Sequence, residues 1–156
     1  HGQSERYYHD VVGCNSRLDS IQAAILNIKL AHLDEYSAAR QAVAKYYTDA
    51  FAEIENIVTP ATATYSTHVF HQYTMQLKGV NRDQFIAHLS AKEIPCMIYY
   101  PVPGHLQKMF GAQTNDHLVL PVTDALTPCV CSLPIHTEMD AEQLAYIVAG
   151  VKSFFN

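Results

Sequence analysis

Long apolar runs are missing from this sequence. No stretch approaches the roughly 20 consecutive apolar residues of a membrane-spanning helix, so nothing in it is expected to cross a bilayer. Glycine and proline are scarce, at six and seven among 156 residues, which excludes collagen-like and low-complexity chains. Positive charge is scarce as well. Ten Lys and Arg face 15 Asp and Glu, the net charge is −5, and the basic residues do not cluster, so nucleic acid is not an expected partner. Four cysteines (Cys14, Cys96, Cys129 and Cys131) are too few and too irregularly spaced for a disulfide framework, and no secretory segment accompanies them. Reduced thiols in the cytoplasm are the expectation. The chain opens on His1, and Gly2–Arg6 has neither the charge nor the apolar core of a signal peptide, so an excerpt from a longer protein is expected. What is present is a composition 49% hydrophobic and 16% charged, in a chain long enough to bury a core without disulfides.

Residues 1–16 show no periodicity and read as an ordered loop. From Arg17 onward, Leu18, Ile21, Ile25, Ile28, His32, Tyr36, Ala39, Val43, Tyr46 and Ala50 recur at intervals of three and four, which predicts an amphipathic helix. Ser16 is the expected N-cap, with Asp19 at the third helical position. Up to Leu33 the apolar residues spread onto a second face, so the first half is expected to be buried on most sides. Thirty-odd helical residues would span about 50 Å, which implies a bend near Leu30–Leu33 or packing on something outside this domain. After a connector running from residue 57 to about Thr67, Val69–Lys78 alternates as a strand. Asn81 caps a helix that ends before Pro95, and Cys96–Tyr100 reads as a short strand before the turn Pro101-Val102-Pro103-Gly104. Short helices at 105–110 and 122–129, a strand at 131–134 and a last helix at 140–155 complete an α+β arrangement with a small antiparallel sheet covered by helices.

Nine histidines invite a metal reading. His68 and His71, placed at the start of a strand, would point to opposite faces three residues apart. Cys129, Cys131 and His136 offer three ligands where structural zinc takes four. No metal site is expected. Cys14, just ahead of a helix start, has the setting of a stabilised thiolate but no assignable base. Two clusters carry more information. In Gly13-Cys14-Asn15-Ser16-Arg17-Leu18-Asp19, an amide and a guanidinium stand at a helix N-terminus, whose free N–H groups attract anions. In Ile98-Tyr99-Tyr100-Pro101-Val102-Pro103-Gly104-His105-Leu106-Gln107, two tyrosines and a histidine surround a proline-locked turn, a rigid stage for stacking and hydrogen bonding. Arg17 could equally be a surface helix residue in an ordinary salt bridge. Tyr99 and Tyr100 could equally divide between core and surface.

The order of these motifs resembles the nucleotide-sugar aminotransferases of the DegT/DnrJ/StrS family. The resemblance rests on His1-Gly2, Tyr7-Tyr8-His9, Asn15-Ser16-Arg17-Leu18-Asp19 with Gln22-Ala23-Ala24-Ile25-Leu26, His71-Gln72-Tyr73, Tyr100-Pro101-Val102-Pro103 with His105-Leu106-Gln107, and Ser132-Leu133-Pro134, all in order along essentially the whole chain. It implies a pyridoxal 5'-phosphate (PLP) enzyme of fold type I that moves an amino group, usually from glutamate, onto a nucleotide-linked keto-sugar. In that family the Schiff-base lysine belongs to a large domain that precedes the segment seen here, and none of the six lysines sits in its motif.

The resemblance therefore implies a connecting helix at 1–56 and a small C-terminal domain at 57–156, with the large PLP-binding domain absent and no catalytic residue in this chain. It matches Asn15 to an asparagine that reaches the cofactor phosphate in the neighbouring subunit of a homodimer. It matches Arg17, Tyr100 and His105 to the substrate side. Tyr99 stands where the family commonly has His, Gly104 where a larger apolar residue is common, and Ala31 where proline is frequent. Alone, the chain is expected to be inactive and to self-associate through exposed apolar surface. Two alternatives stand beside this reading: a PLP-dependent sugar dehydratase relative, in which histidine replaces the lysine, and a non-catalytic ligand-binding or interaction module.

Overall fold

A computed structural model describes residues 2–113 and 118–156; His1 of the family-like motif lies outside the described residues. The chain divides into two compact units. The first comprises the residues up to Asn27 together with Tyr100–Pro128, and the second comprises Ile28–Tyr99 and Cys129–Asn156. This grouping differs from a division at residue 56. Among the described residues, no helix is long and apolar enough to cross a membrane.

The second unit is built on a three-stranded antiparallel sheet of β3 (Ile57–Val58), β4 (Tyr73–Leu77) and β5 (Val130–Leu133), with β4 in the centre. Period-two alternation places Tyr73, Met75 and Leu77 on the buried face. Tyr73 stands opposite Leu133 and Met75 opposite Cys131. Three helices complete the core: α2 (Leu33–Phe51) with Val43, Ala44, Tyr47 and Phe51, α3 (Arg82–Ser90) with Phe85 and Leu89, and α5 (Ala141–Lys152) with Ile147, Val148 and Val151. Asn81 caps α3 as expected, accepting from the Gln84 N–H at 3.0 Å, and Asp140, expected as the first residue of the last helix, is its N-cap and forms a capping box with Gln143. The expected strand at 69–78 starts only at Tyr73, because Phe70 turns to φ +47° and its N–H donates to His68 Nδ1 at 2.9 Å. His68 and His71 consequently lie before the strand and do not alternate along it. The expected strand at 96–100 shrinks to one bridge between Met97 and Ser132, since it is bounded by Pro95 and Pro101, which have no N–H to donate.

The long helix is two helices, α1 (Ser20–Leu30) and α2, interrupted at Ala31–His32 within the region where a bend was expected. Its N-cap is Asp19 and not Ser16. The Asp19 carboxylate accepts from the Gln22 N–H at 2.8 Å, and the Gln22 side chain accepts in return from the Asp19 N–H at 3.4 Å. The expected burial of the first half is not found, because α1 has no buried residue. In α2 the buried tyrosine is Tyr47, with Tyr46 exposed.

In the first unit, the segment read as a loop forms a short hairpin, β1 (Gln3–Glu5) with β2 (Tyr8–His9). Residues 105–110 form 3-10 turns at Gly104–Leu106 and Lys108–Gln113 instead of one helix. The helix α4 (Pro121–Leu126) begins on a proline, which suits a position whose N–H has no intrahelical partner.

Candidate functional site

The hairpin's turn is made by Tyr7, whose φ of +72° is costly for a residue with a Cβ, of the order of 1–3 kcal/mol. At the hairpin's base the Gly2 carbonyl accepts from the N–H groups of Asp10 and Val11 at 3.1 and 3.4 Å. Gly2 itself sits at φ +80°, where a Cβ would overlap the Val11 carbonyl, so only glycine fits. A second wall is the proline turn. Leu106 N–H donates to Pro103 O at 3.0 Å, closing the 3-10 turn that follows Pro101-Val102-Pro103.

Between these walls and α4, the first unit holds an open cavity of about 810 Å³. Tyr7 and Tyr100 meet at its edge with ring centroids 5.3 Å apart and planes at 78°, an edge-to-face pair. Arg6 stands 5.0 Å over the Tyr7 ring. His9, Gln107, Thr123 and Thr127 supply polar lining. Thr127 Oγ1 donates to Thr123 O at 2.8 Å. Among the described residues, the lining contains no Asp, Glu, Lys or Arg. Such a cavity suits a neutral, partly aromatic or hydroxyl-bearing group, and any phosphate attached to that group must be met by cations outside it.

Gln107 ties the walls together. It is buried at 7% exposure, and its Oε1 accepts from the His9 N–H at 2.9 Å. Its Nε2 donates to Tyr7 O at 2.9 Å and to Val102 O at 3.4 Å.

The residues singled out in the sequence are dispersed. Tyr100 lines the cavity and is 59% exposed. His105 lies half-buried in the 3-10 turn and is not part of the lining. Asn15 and Arg17 are exposed, in a stretch without helix or strand, and neither lines the cavity. The helix N-terminus pictured as an anion site is occupied by the chain's own Asp19 carboxylate. Tyr99 belongs to the second unit, where it lines a smaller cavity of about 140 Å³ with His71 and Gln72. Tyr7 and His9 belong to a motif that was legible, but no role had been attached to them. Gln107 was legible as the end of the His105-Leu106-Gln107 motif, but it too carried no assigned role.

Among the described residues no three His, Cys, Asp or Glu side chains are grouped to hold a metal. Cys131 is fully buried, and its thiol partner is Cys96. That hydrogen bond and burial together push the Cys131 thiol well above its ordinary value, while Cys96 is drawn down mainly by the same bond. Cys14 is exposed and stands six residues before α1 begins, so it is not at the start of that helix.

Residues 1–152 match the DegT/DnrJ/EryC1/StrS aminotransferase family. A UDP-N-acetyl-3-dehydro-α-D-glucosamine 3-aminotransferase of Acidithiobacillus ferrooxidans is 41% identical over 152 residues, covering 97% of this chain and 40% of that protein. A protein of Geobacillus stearothermophilus named as a pleiotropic regulatory protein is 39% identical over 157 residues, covering 99% of this chain and 42% of its own length. The crystal structure of Streptomyces venezuelae DesV in complex with a ketimine intermediate superposes with a TM-score of 0.82 at 34% identity, covering 98% of this chain and 41% of that one. The chain thus spans about 40% of the length of the curated relatives it matches.

Proposed function

Because the chain belongs to the DegT/DnrJ/EryC1/StrS aminotransferase family, we propose that it is the C-terminal part of an enzyme that transfers an amino group from glutamate to a nucleotide-linked keto-sugar. The observation that carries this reading is the family match along residues 1–152, which takes in the elements that form the aromatic cavity.

The family is PLP-dependent, and PLP when bound supplies an electron sink for the reacting carbon. This chain brings no Schiff-base lysine to that cofactor. Among the described residues no lysine lines the cavity, and Lys45 and Lys108 stand on the surface beside Asp49 and Asp10. The Schiff-base lysine is assigned to a preceding large domain. The chain's own contribution is to bind and orient. The cavity edged by Tyr7 and Tyr100 takes an uncharged part of the nucleotide-sugar. Arg17, exposed and without an ion pair among the described residues, forks onto its diphosphate. His105 completes the substrate side. Asn15 donates its amide to the cofactor phosphate of the partner subunit in a two-fold dimer, so each site draws on two chains. The setting is the cytoplasm.

The test is to express the intact protein and supply UDP-N-acetyl-3-dehydro-α-D-glucosamine, the substrate type in the name of the Acidithiobacillus relative, with glutamate. Formation of the amino sugar with stoichiometric 2-oxoglutarate supports the proposal. Loss of water from the sugar without consumption of glutamate assigns the dehydratase branch. Absence of both reactions with this and a dTDP-linked keto-sugar overturns the enzymatic reading in favour of a non-catalytic module.

A further inference from the structure

We propose that Gln107 is a positioning residue that sets the substrate specificity of the cavity by locking the Tyr7 turn onto the proline turn; this rests on the aminotransferase reading of the same site. Three observations converge on it. Among the described residues Gln107 and Ser132 are the polar side chains classed as buried, and Gln107 joins segments about 100 residues apart in sequence. Its amide is fully used: Oε1 receives the His9 N–H at 2.9 Å, and Nε2 gives one proton to Tyr7 O at 2.9 Å and one to Val102 O at 3.4 Å. Tyr7, His9, Val102 and Gln107 all line the cavity, so each of the three bonds fixes a piece of its wall.

The chemistry demands an amide. Two carbonyls need two donors and one N–H needs an acceptor, and a primary amide presents that set on one planar group. A carboxylate keeps the acceptor and loses both donors, and an apolar side chain loses all three. The Tyr7 carbonyl belongs to a residue held at φ +72°, a conformation that persists only where its surroundings over-determine it. Releasing that carbonyl lets the turn relax, and the Tyr7 ring then leaves its edge-to-face contact with Tyr100 at 5.3 Å. Gln107 therefore acts through the two tyrosines and touches no reacting atom.

The experiment compares Gln107→Glu and Gln107→Met with the unaltered intact protein. Kinetics are measured with the keto-sugar nucleotide and glutamate varied in turn. The KM for the sugar nucleotide should rise about tenfold in Gln107→Met and at least as much in Gln107→Glu, whose buried carboxylate would face two carbonyl oxygens, with kcat and the glutamate KM within about twofold. A general structural role would instead lower the active fraction, and with it kcat, leaving both KM values in place. Unchanged sugar-nucleotide KM in a folded variant, or an equal rise for both substrates, overturns the proposal. If neither variant folds, Gln107→Asn, which keeps donors and acceptor but is one methylene short, takes their place with the same expectation. Should the unaltered protein transfer no amino group, the functional reading fails separately. The positioning claim is then decided by the Tyr7–Tyr100 ring contact, measured as a nuclear Overhauser effect or in a crystal. Its loss in Gln107→Met sustains the claim, and its persistence overturns it.

Discussion

The Tyr47 hydroxyl donates to the Pro134 carbonyl at 3.0 Å, tying helix α2 to the end of strand β5 across 87 residues of chain. The ring lies 5.1 Å from that of Tyr73, whose hydroxyl meets Thr48 Oγ1 at 3.0 Å. Burial, and then the neighbouring Tyr73, push the Tyr47 phenol well above its ordinary value of 10.0; burial raises Tyr73 likewise. The folded state therefore keeps protons that the unfolded chain gives up. This stabilisation is fully present below the unfolded value near 10 and is lost as pH rises beyond it. Urea midpoints should be level between about pH 7 and 9 and fall above about 10. Tyr47→Phe should cost about 1 kcal/mol at neutral pH and flatten the alkaline loss. An alkaline slope as steep in the variant as in the parent would remove Tyr47 from this account.

The cap of α1 gives a second expectation. Asp19 satisfies the Gln22 N–H, one of the donors a helix start leaves unpaired. Asp19→Ala should therefore unwind the first turn at a cost of about 1 kcal/mol. Asp19→Asn, which keeps the acceptor, should recover most of it. Amide exchange at Gln22 and Ala23 reads the effect directly, and protection unchanged in the alanine variant would show that the cap contributes nothing.

Thiol labelling separates the four cysteines. Cys14 is exposed, whereas Cys131 is fully buried with its thiol held protonated by Cys96 and by burial. Iodoacetamide at pH 8 should modify Cys14 first and Cys131 last, with peptide mass spectrometry giving the order. Early modification of Cys131 in folded protein would contradict the packing of β5.

Much of this architecture was legible because local chemistry and tertiary position agree. Asn81 and Asp140 each precede an apolar-periodic run, and Tyr73-Thr74-Met75-Gln76-Leu77 alternates cleanly against one core. Where two local solutions compete, pattern alone does not choose. Ser16 and Asp19 are both good caps, and the deciding feature is Gln22 three residues after Asp19, which closes the capping box. Tyr46 and Tyr47 both fit a helical interval, and the choice depends on where β5 and Tyr73 lie in space. The Tyr7 turn was invisible for a different reason: a tyrosine at positive φ has no composition signal, since tertiary bonds hold it there. The role of Gln107 was hidden by the same cause, because its three partners are up to 100 residues away. Tyr100 reached the cavity as a candidate because aromatic residues beside a proline turn advertise themselves locally.

On α1, Ile21, Ile25 and Ile28, spaced at three and four, form a stripe that is 75%, 51% and 72% exposed, and Leu18 just ahead of the helix is 63% exposed. A contiguous apolar face of this kind is uncommon on a free monomer. The 156-residue chain in isolation should accordingly associate, with a sedimentation mass that climbs with concentration, and Ile21→Glu with Ile28→Glu should disperse it. A clean monomer across two decades of concentration would show that the stripe is no interface.

Asn15 and Arg17 separate the two-chain site from a self-contained one. In the intact protein, Asn15→Ala should weaken PLP retention by about tenfold, the worth of one charge-assisted hydrogen bond, and leave the sugar-nucleotide KM nearly unchanged. Arg17→Ala should do the reverse, raising that KM by about 10- to 100-fold. Whether Asn15 serves its own site or its partner's is decided by mixing subunits. One subunit carries Asn15→Ala with its Schiff-base lysine intact, and the other carries Asn15 with that lysine replaced. If Asn15 reaches across, the lysine of the first subunit and the asparagine of the second meet in one complete site, and at limiting PLP mixed dimers are more active than either parent. If Asn15 acts within its own chain, every site in the mixture lacks one group or the other, and mixing restores nothing. Recovery on mixing thus requires both the dimer and the crossing, and its absence with proven subunit exchange rules out the crossing.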